Sequence, residues 1–446
     1  LQVASGSRKA DLVIRNVHVL NVFTEELIKS DIAIGGRRIA RIGKVDDIVG
    51  GGTLEVIGNG IAVPGFLDGH IHPESTMLTL SELSRVLIPK GTSGIFADVH
   101  ELANVGGARA LECLLEEARR VPLKVFLEVP SCVPSMLGVE TPGAEIGVED
   151  VSKLLDEGFF SLGEVMDYPG VISAREDLAA KLKEAIERGI PIDGHAPSLS
   201  GGQLDAYLSA GPSSDHEVFT SEEAIEKLRK GAWVMLREGS SEKNLGTVIK
   251  GLRSRKISLE RVCFCTDDRD VRDLLREGHV DHVVRRSIEL GLDPVKAIKM
   301  ATLNVASRFN VDSDLGSISP GKIADIVILR DLERVKVDTV VLNGELVHRD
   351  GKLLTDVKSS PYPEWMRRSV KLPELSNDSL VVRAPGAREA LVRVIGVVEG
   401  QVYTRAEEEW LEVDGGVVRP NPELDIAMLA VVERHGKGGT IGTGFV

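Results

Sequence analysis

The chain has 446 residues, of which 42% are hydrophobic and 27% charged, with a formal net charge of -14. That balance belongs to a globular protein with a large core and excludes a disordered one. A deficit of positive charge excludes nucleic acid as the main partner. The length calls for two or three domains. None of the four cysteines, Cys113, Cys132, Cys263 and Cys265, lies in a CxxC pair, which fits a reducing compartment and a cytoplasmic location. No apolar run reaches the roughly 18–20 residues that span a bilayer, and the N-terminus lacks the apolar core of a signal peptide. No membrane association is expected.

Residues 11–62 read as short alternating strands, with the Gly35-Gly36 pair as a hairpin turn between apolar runs. From Ile61 the pattern becomes strand, loop, helix, repeated. Candidate strands run Ile61–Leu67, Gly94–Asp98, Val121–Val129, Phe159–Met166, Ile190–Gly194, a short run before Asp215, Ala232–Leu236 and Val262–Cys265. Helical spacing marks stretches between them, such as Gly107–Arg120 and Ala174–Arg188. Alternating strands and helices predict a parallel sheet, and eight such units predict a (β/α)8 barrel of about 250 residues.

After the barrel helices, short strands return around Ile323–Leu329 and Val337–Val347. They are expected to pair with the N-terminal strands. The predicted organisation is a small β-sandwich-like domain from 1–63 and 312–357, the barrel over 64–311, and a C-terminal α+β domain over 358–446. The run Gly438-Gly-Thr-Ile-Gly-Thr-Gly lacks the Lys-Ser/Thr ending of a phosphate loop and is read as a turn.

The ten histidines carry the strongest signal. His70 and His72 follow the first barrel strand as Asp68-Gly-His-Ile-His. Two residues apart on an extended segment, both rings face one side and can reach one metal. Glu164, His195, His216 and Asp267 end the fourth, fifth, sixth and eighth candidate strands. The C-terminal ends of barrel strands converge on the face where active sites are built. Six nitrogen and oxygen donors there exceed the needs of one tetrahedral ion, which implies two divalent metals bridged by a carboxylate and a hydroxide. The donors suit Zn, Mn and Fe alike.

This constellation resembles the amidohydrolase superfamily, whose members place HxH, a bridging group, two histidines and an aspartate on the same strands. Many relatives bridge the metals with a carboxylated lysine. Glu164 stands there instead, and no lysine lies in that strand. That departs from the cyclic-amide hydrolases and is similar to the adenine deaminase family. So are His70-Ile-His-Pro-Glu-Ser-Thr-Met, Ala97-Asp-Val-His-Glu-Leu-Ala-Asn-Val, Pro130-Ser-Cys-Val-Pro and Gly194-His-Ala-Pro-Ser-Leu-Ser-Gly. Ser213-Ser-Asp-His-Glu, Cys265-Thr-Asp-Asp and Gly278-His-Val-Asp-His-Val-Val-Arg-Arg extend the likeness over essentially the whole chain.

The resemblance implies hydrolysis of adenine to hypoxanthine and ammonia, in a protein acting on a free purine and expected to form a homodimer. It implies that Asp267 ligates a metal and relays the proton of the attacking hydroxide, while Glu164 bridges the metals and shares in proton transfer. Asp268 is placed to bind a purine nitrogen or, more blandly, to cap the next helix. His100 and Glu101 end the second strand and either contact substrate, hold a further metal, or hydrogen-bond the ligands. Arg237 and Glu238 follow strand seven and line the pocket. His279 and His282 read as structural. Cys263 and Cys265 read as core. Two other readings stay open: a sister hydrolase of a cyclic amide or another aminated heterocycle, and a barrel that has lost catalysis and serves as a binding or assembly protein. The family usually continues beyond the point matching Val446, so the C-terminal domain is expected to be truncated.

Overall fold

The computed structural model describes residues 1–359, 361–399 and 403–446. A nine-stranded sheet draws on both flanks of the chain. Leu12–Asn21, Glu26–Gly35 and Arg38–Gly43 pair antiparallel in succession. Gly36 makes the hairpin turn at φ 58°, where a side chain would be strained. Ile61–Pro64 then pairs antiparallel with Ile326–Leu329, Val63 opposite Val327. The expected pairing of the two flanks is therefore present.

One predicted strand divides. The apolar run Ile61–Leu67 contributes Ile61–Pro64 to this sheet, while the next strand, Phe66–Ile71, belongs to a separate parallel layer. Hydropathy cannot separate two buried strands joined by the single residue Gly65.

The parallel layer holds β1 (Phe66–Ile71), β2 (Thr92–Asp98), β3 (Lys124–Val129), β4 (Ser161–Val165), β5 (Ile192–Gly194), β6 (Ser214–Asp215), β7 (Trp233–Arg237) and β8 (Val262–Cys265). β1 to β5 form one curled sheet and β6 to β8 another, each in sequence order. Backbone hydrogen bonds cross both seams. Asp267 N donates to His70 O at 2.9 Å, beyond β8 and β1, and Ser213 N donates to Ile192 O at 3.3 Å, between β6 and β5. Helices separate successive strands, among them His100–Ala118, Glu176–Arg188, Ser221–Arg229 and Leu245–Ser254. Every residue of β1, β2 and β4 is buried, as a parallel sheet covered on both faces requires.

The space inside these strands is filled in two ways. Phe96, Phe126, Phe160 and Phe309 pack with Met235, Cys263 and Cys265; the Phe96 ring stacks on Phe309 at 3.6 Å and on Phe126 at 4.6 Å. Both cysteines are core residues, as expected. The strands' C-terminal ends instead carry imidazoles and carboxylates.

The segment from 361 onward is less helical than an α+β domain. Its described residues carry a five-stranded sheet, with Glu389–Gly396 central between Arg405–Asp414 and Ile441–Phe445. The helix there is the short turn Glu364–Arg367, with 3-10 turns at Asn377–Leu380 and Pro422–Leu424. The glycine-rich run is a turn only at its start, since Ile441–Phe445 pairs with Met428–Val432. Its glycines hid a strand from sequence pattern.

Candidate metal centre

β1 delivers the first two rings. His70 Nδ1 faces Asp193 Oδ2 at 2.9 Å, and His72 Nδ1 faces Asp98 O at 3.0 Å. Both partners are acceptors, so each Nδ1 carries the proton and each Nε2 presents a lone pair. The two Nε2 atoms lie 3.1 Å apart. Two lone pairs at that separation repel unless a proton or a cation sits against them. Asp267 closes the group, its Oδ1 3.2 Å from His72 Nε2 and 3.7 Å from His70 Nε2.

Glu164 lies at the centre. Its Oε2 is 2.6 Å from His195 Nδ1 and 3.2 Å from His216 Nε2, while Oε1 is 3.4 Å from His72 Nε2 and 3.3 Å from His100 Nδ1. One oxygen thus serves each side of the cluster. His216 stacks on His70 with centroids 4.0 Å apart. All six predicted ligands therefore converge from strands that sequence order keeps far apart.

Charge balance fits a cation. Burial opposes a proton on His70, yet Asp193 and Glu164 push its pKa up to about 10. Burial likewise opposes protonation of His72 and His195, which carboxylates raise all the same. Burial would raise Glu164, but His195 and His216 hold it well below the carboxylate range. Asp267 behaves alike: burial raises it, and His72, His216 and Arg237 overcome that. A cage that draws protons onto buried imidazoles also favours a divalent ion, whose binding such ligands complete in neutral and anionic form. Several trios can offer donors to one ion: His70, His72 and Asp267; His70, Glu164 and His216; His72, His100 and Glu164; His195, His216 and Glu217.

The ligands are held from behind. Asp98 Oδ2 accepts Glu164 N at 2.8 Å, and Arg308 reaches Asp193 Oδ1 at 3.3 Å. Tyr207 Oη accepts His195 N at 2.8 Å and donates to Val165 O at 2.9 Å. Buried Lys227 pairs with Asp215, whose Oδ1 accepts Ala196 N at 2.8 Å. Such partners orient ligands and are part of the site.

Four further predicted residues are found as follows. His100 opens the helix after β2 and makes no hydrogen bond through Nδ1, despite Glu164 and Asp98 nearby. Glu101 follows it, half-buried, with its pKa raised chiefly by burial. Asp268 does not cap the next helix; Asp270 does, accepting Arg272 N at 2.7 Å. Asp268 Oδ1 is buried with no partner. Glu238 is buried and pairs by backbone with Lys243. His279 is structural, its Nε2 2.8 Å from Asp68 Oδ2.

Sequence reasoning missed Glu217, Asp98 and Asp193. Glu217 Oε1 stands 3.9 Å from both His195 Nδ1 and His216 Nε2. Its signal was adjacency, an acid directly after a strand-end histidine.

Residues 61–347 match the amidohydrolase family. Over 448 residues the chain is 41% identical to the adenine deaminase of Desulforamulus reducens, covering 100% of this chain and 76% of that protein. It is 42% identical to that of Archaeoglobus fulgidus, with coverage of 100% and 74%. Solved structures of a molinate hydrolase (TM-score 0.57, 15% identity, 80% of this chain and 98% of that one) and of the Fervidobacterium islandicum beta-aspartyl dipeptidase (0.59, 15%, 80% and 100%) share the fold. The chain belongs to the amidohydrolase family and, within it, to the adenine deaminases.

Proposed function

We propose that this chain hydrolyses adenine to hypoxanthine and ammonia. The observation that carries the reading is Glu164 between His72 and the His195–His216 pair, one carboxylate oxygen toward each. This supports two divalent ions, Mn, Fe or Zn, held by His70, His72, Glu164, His195, His216 and Asp267. When bound, they act as Lewis acids and lower the pKa of water from 15.7 to about 7.

Asp267 takes the proton of the attacking water, since Oδ1 is its oxygen that faces the cluster. Glu164 shares in that transfer. Asp268, with an unpartnered buried oxygen, holds a purine nitrogen, and His100 and Glu101 line the same side. A C6–O bond forms, the C6–N bond to the exocyclic amine breaks, and the relayed protons leave with ammonia. Adenine and water are consumed in equal number.

The reading extends to the architecture and setting. Hydrogen bonds across both seams support closure of β1–β8 into a (β/α)8 barrel over 64–311. The nine-stranded sheet supports one β domain from 1–63 and 312–357, beside a C-terminal unit over 358–446. Four free cysteines support a reducing, cytoplasmic setting. A homodimer is expected, and light scattering tests it. No described helix is long and apolar enough to cross a membrane.

Ammonia release from adenine, adenosine and cytosine, with Mn, Fe or Zn added after chelation, tests the function. Release from adenine alone is expected. Silence with every metal, or preference for a cyclic amide, defeats it.

A further inference from the structure

Arg237 ends β7 and is completely buried. Its Nη1 donates to Asp267 Oδ2 at 2.5 Å. Its Nη2 donates to Glu217 Oε2 at 2.8 Å, and Nη1 also contacts Glu217 Oε1. Removing a guanidinium from water costs several kcal/mol unless its partners are well placed. The planar fork meets that demand here by taking two carboxylates at once.

The partners come from the strands on either side. Glu217 follows β6, Asp267 follows β8, and β7 runs between them. With Oδ2 on the guanidinium, Asp267 keeps only Oδ1 toward His70 and His72. Its backbone sits at φ 57°, an uncommon region for a side-chain-bearing residue, retained where the surroundings over-determine it. Glu217 is turned by the same fork toward His195 and His216.

We infer that Arg237 is a positioning residue of this site, fixing the orientation of Asp267 on one flank and of Glu217 on the other through a single guanidinium. The kinetic consequence rests on the adenine-deaminating reading; the geometric one does not. Lysine keeps the charge but is a point donor that cannot span both carboxylates.

The test uses the metal-loaded full chain carrying Arg237→Met or Arg237→Lys. Arg237→Met is expected to lower kcat about 100-fold, with metal content retained and KM for adenine within about threefold. Arg237→Lys is expected to keep roughly a tenth of kcat, and free guanidinium ion to restore Arg237→Met about tenfold or more. A merely structural ion pair moves stability without guanidinium rescue. The inference is overturned if both variants stay within about threefold of the parent kcat, or if loss in Arg237→Met tracks lost metal while Arg237→Lys is fully active. Should Arg237→Met not fold, the kcat of Arg237→Lys decides by the same threshold. If the parent releases no ammonia from adenine, the proposed function fails and the cobalt-loaded proteins decide. Visible absorption of Arg237→Lys that differs from the parent supports the positioning; superimposable spectra overturn it.

Discussion

The carboxylate of Asp98, the last residue of β2, accepts the backbone N–H of Glu164 at 2.8 Å from two strands away. Its other oxygen accepts His100 N at 3.1 Å. One side chain thereby sets where the central carboxylate of the site stands and where the following helix begins. Asp98→Asn retains shape but turns one acceptor into a donor facing an N–H. The expected cost is about 10- to 100-fold in metal affinity or activity, measured by titrating metal into the chelated protein.

Room for that hydrogen bond exists because residue 163 lacks a side chain. A Cβ on Gly163 would fall 2.3 Å from Asp98 Oδ2 and 2.9 Å from its Cγ. Gly163→Ala is therefore expected to cost about 1–3 kcal/mol and to depress activity as well. Gly51→Ala, with nothing within 4 Å, is the control. Chemical denaturation of the two variants makes the comparison, and equal midpoints would count against this packing.

Lys227 is fully buried and paired with Asp215 and Glu223. Lys227→Met leaves Asp215 charged in the interior, an expected loss of about 3–5 kcal/mol. Adding Asp215→Asn should recover part of it, although Asp215 also holds the His195 loop through Ala196 N. Thermal unfolding of the single and double variants measures the coupling.

His282 supplies a pH dependence away from the metal cluster. Burial and the nearby Arg269 guanidinium lower its pKa from 6.5 to about 4, against a weaker opposing pull from Glu277. A histidine held below its unfolded value stabilises the fold at pH above that value. The contribution is lost as pH falls from about 6.5 through 4 and amounts to no more than about 2–3 kcal/mol. His282→Gln does not titrate, so the stability of the parent relative to this variant should decline over that window. A difference that stays flat from pH 7 to 4 would falsify the assignment.

Much of the site was legible because period and position are local properties. His70 and His72 share a side by alternation along β1, and each remaining ligand ends an apolar run that any reader can mark. The residues that hold them were not legible. Asp98, Asp193 and Tyr207 look like ordinary members of a strand or helix, and their partners lie 66, 123 and 12 positions away. Asp268 was ambiguous in sequence because Asp270, two residues on, competes for the same cap, and only the backbone path decided between them.

The six donors themselves, from His70 and His72 through Glu164 to Asp267, were determined by the sequence alone, since their residue types and strand-end spacing already called for a metal. Tertiary structure decided how they are aimed. It put acceptors behind both Nδ1 atoms so that two lone pairs meet at 3.1 Å, and set Glu164 between the two flanks. It also brought Arg237 onto Asp267 and Glu217 together. Hydrogen-bond direction and charge pairing depend on distances between strands, and linear order does not encode those distances until the strands lie side by side.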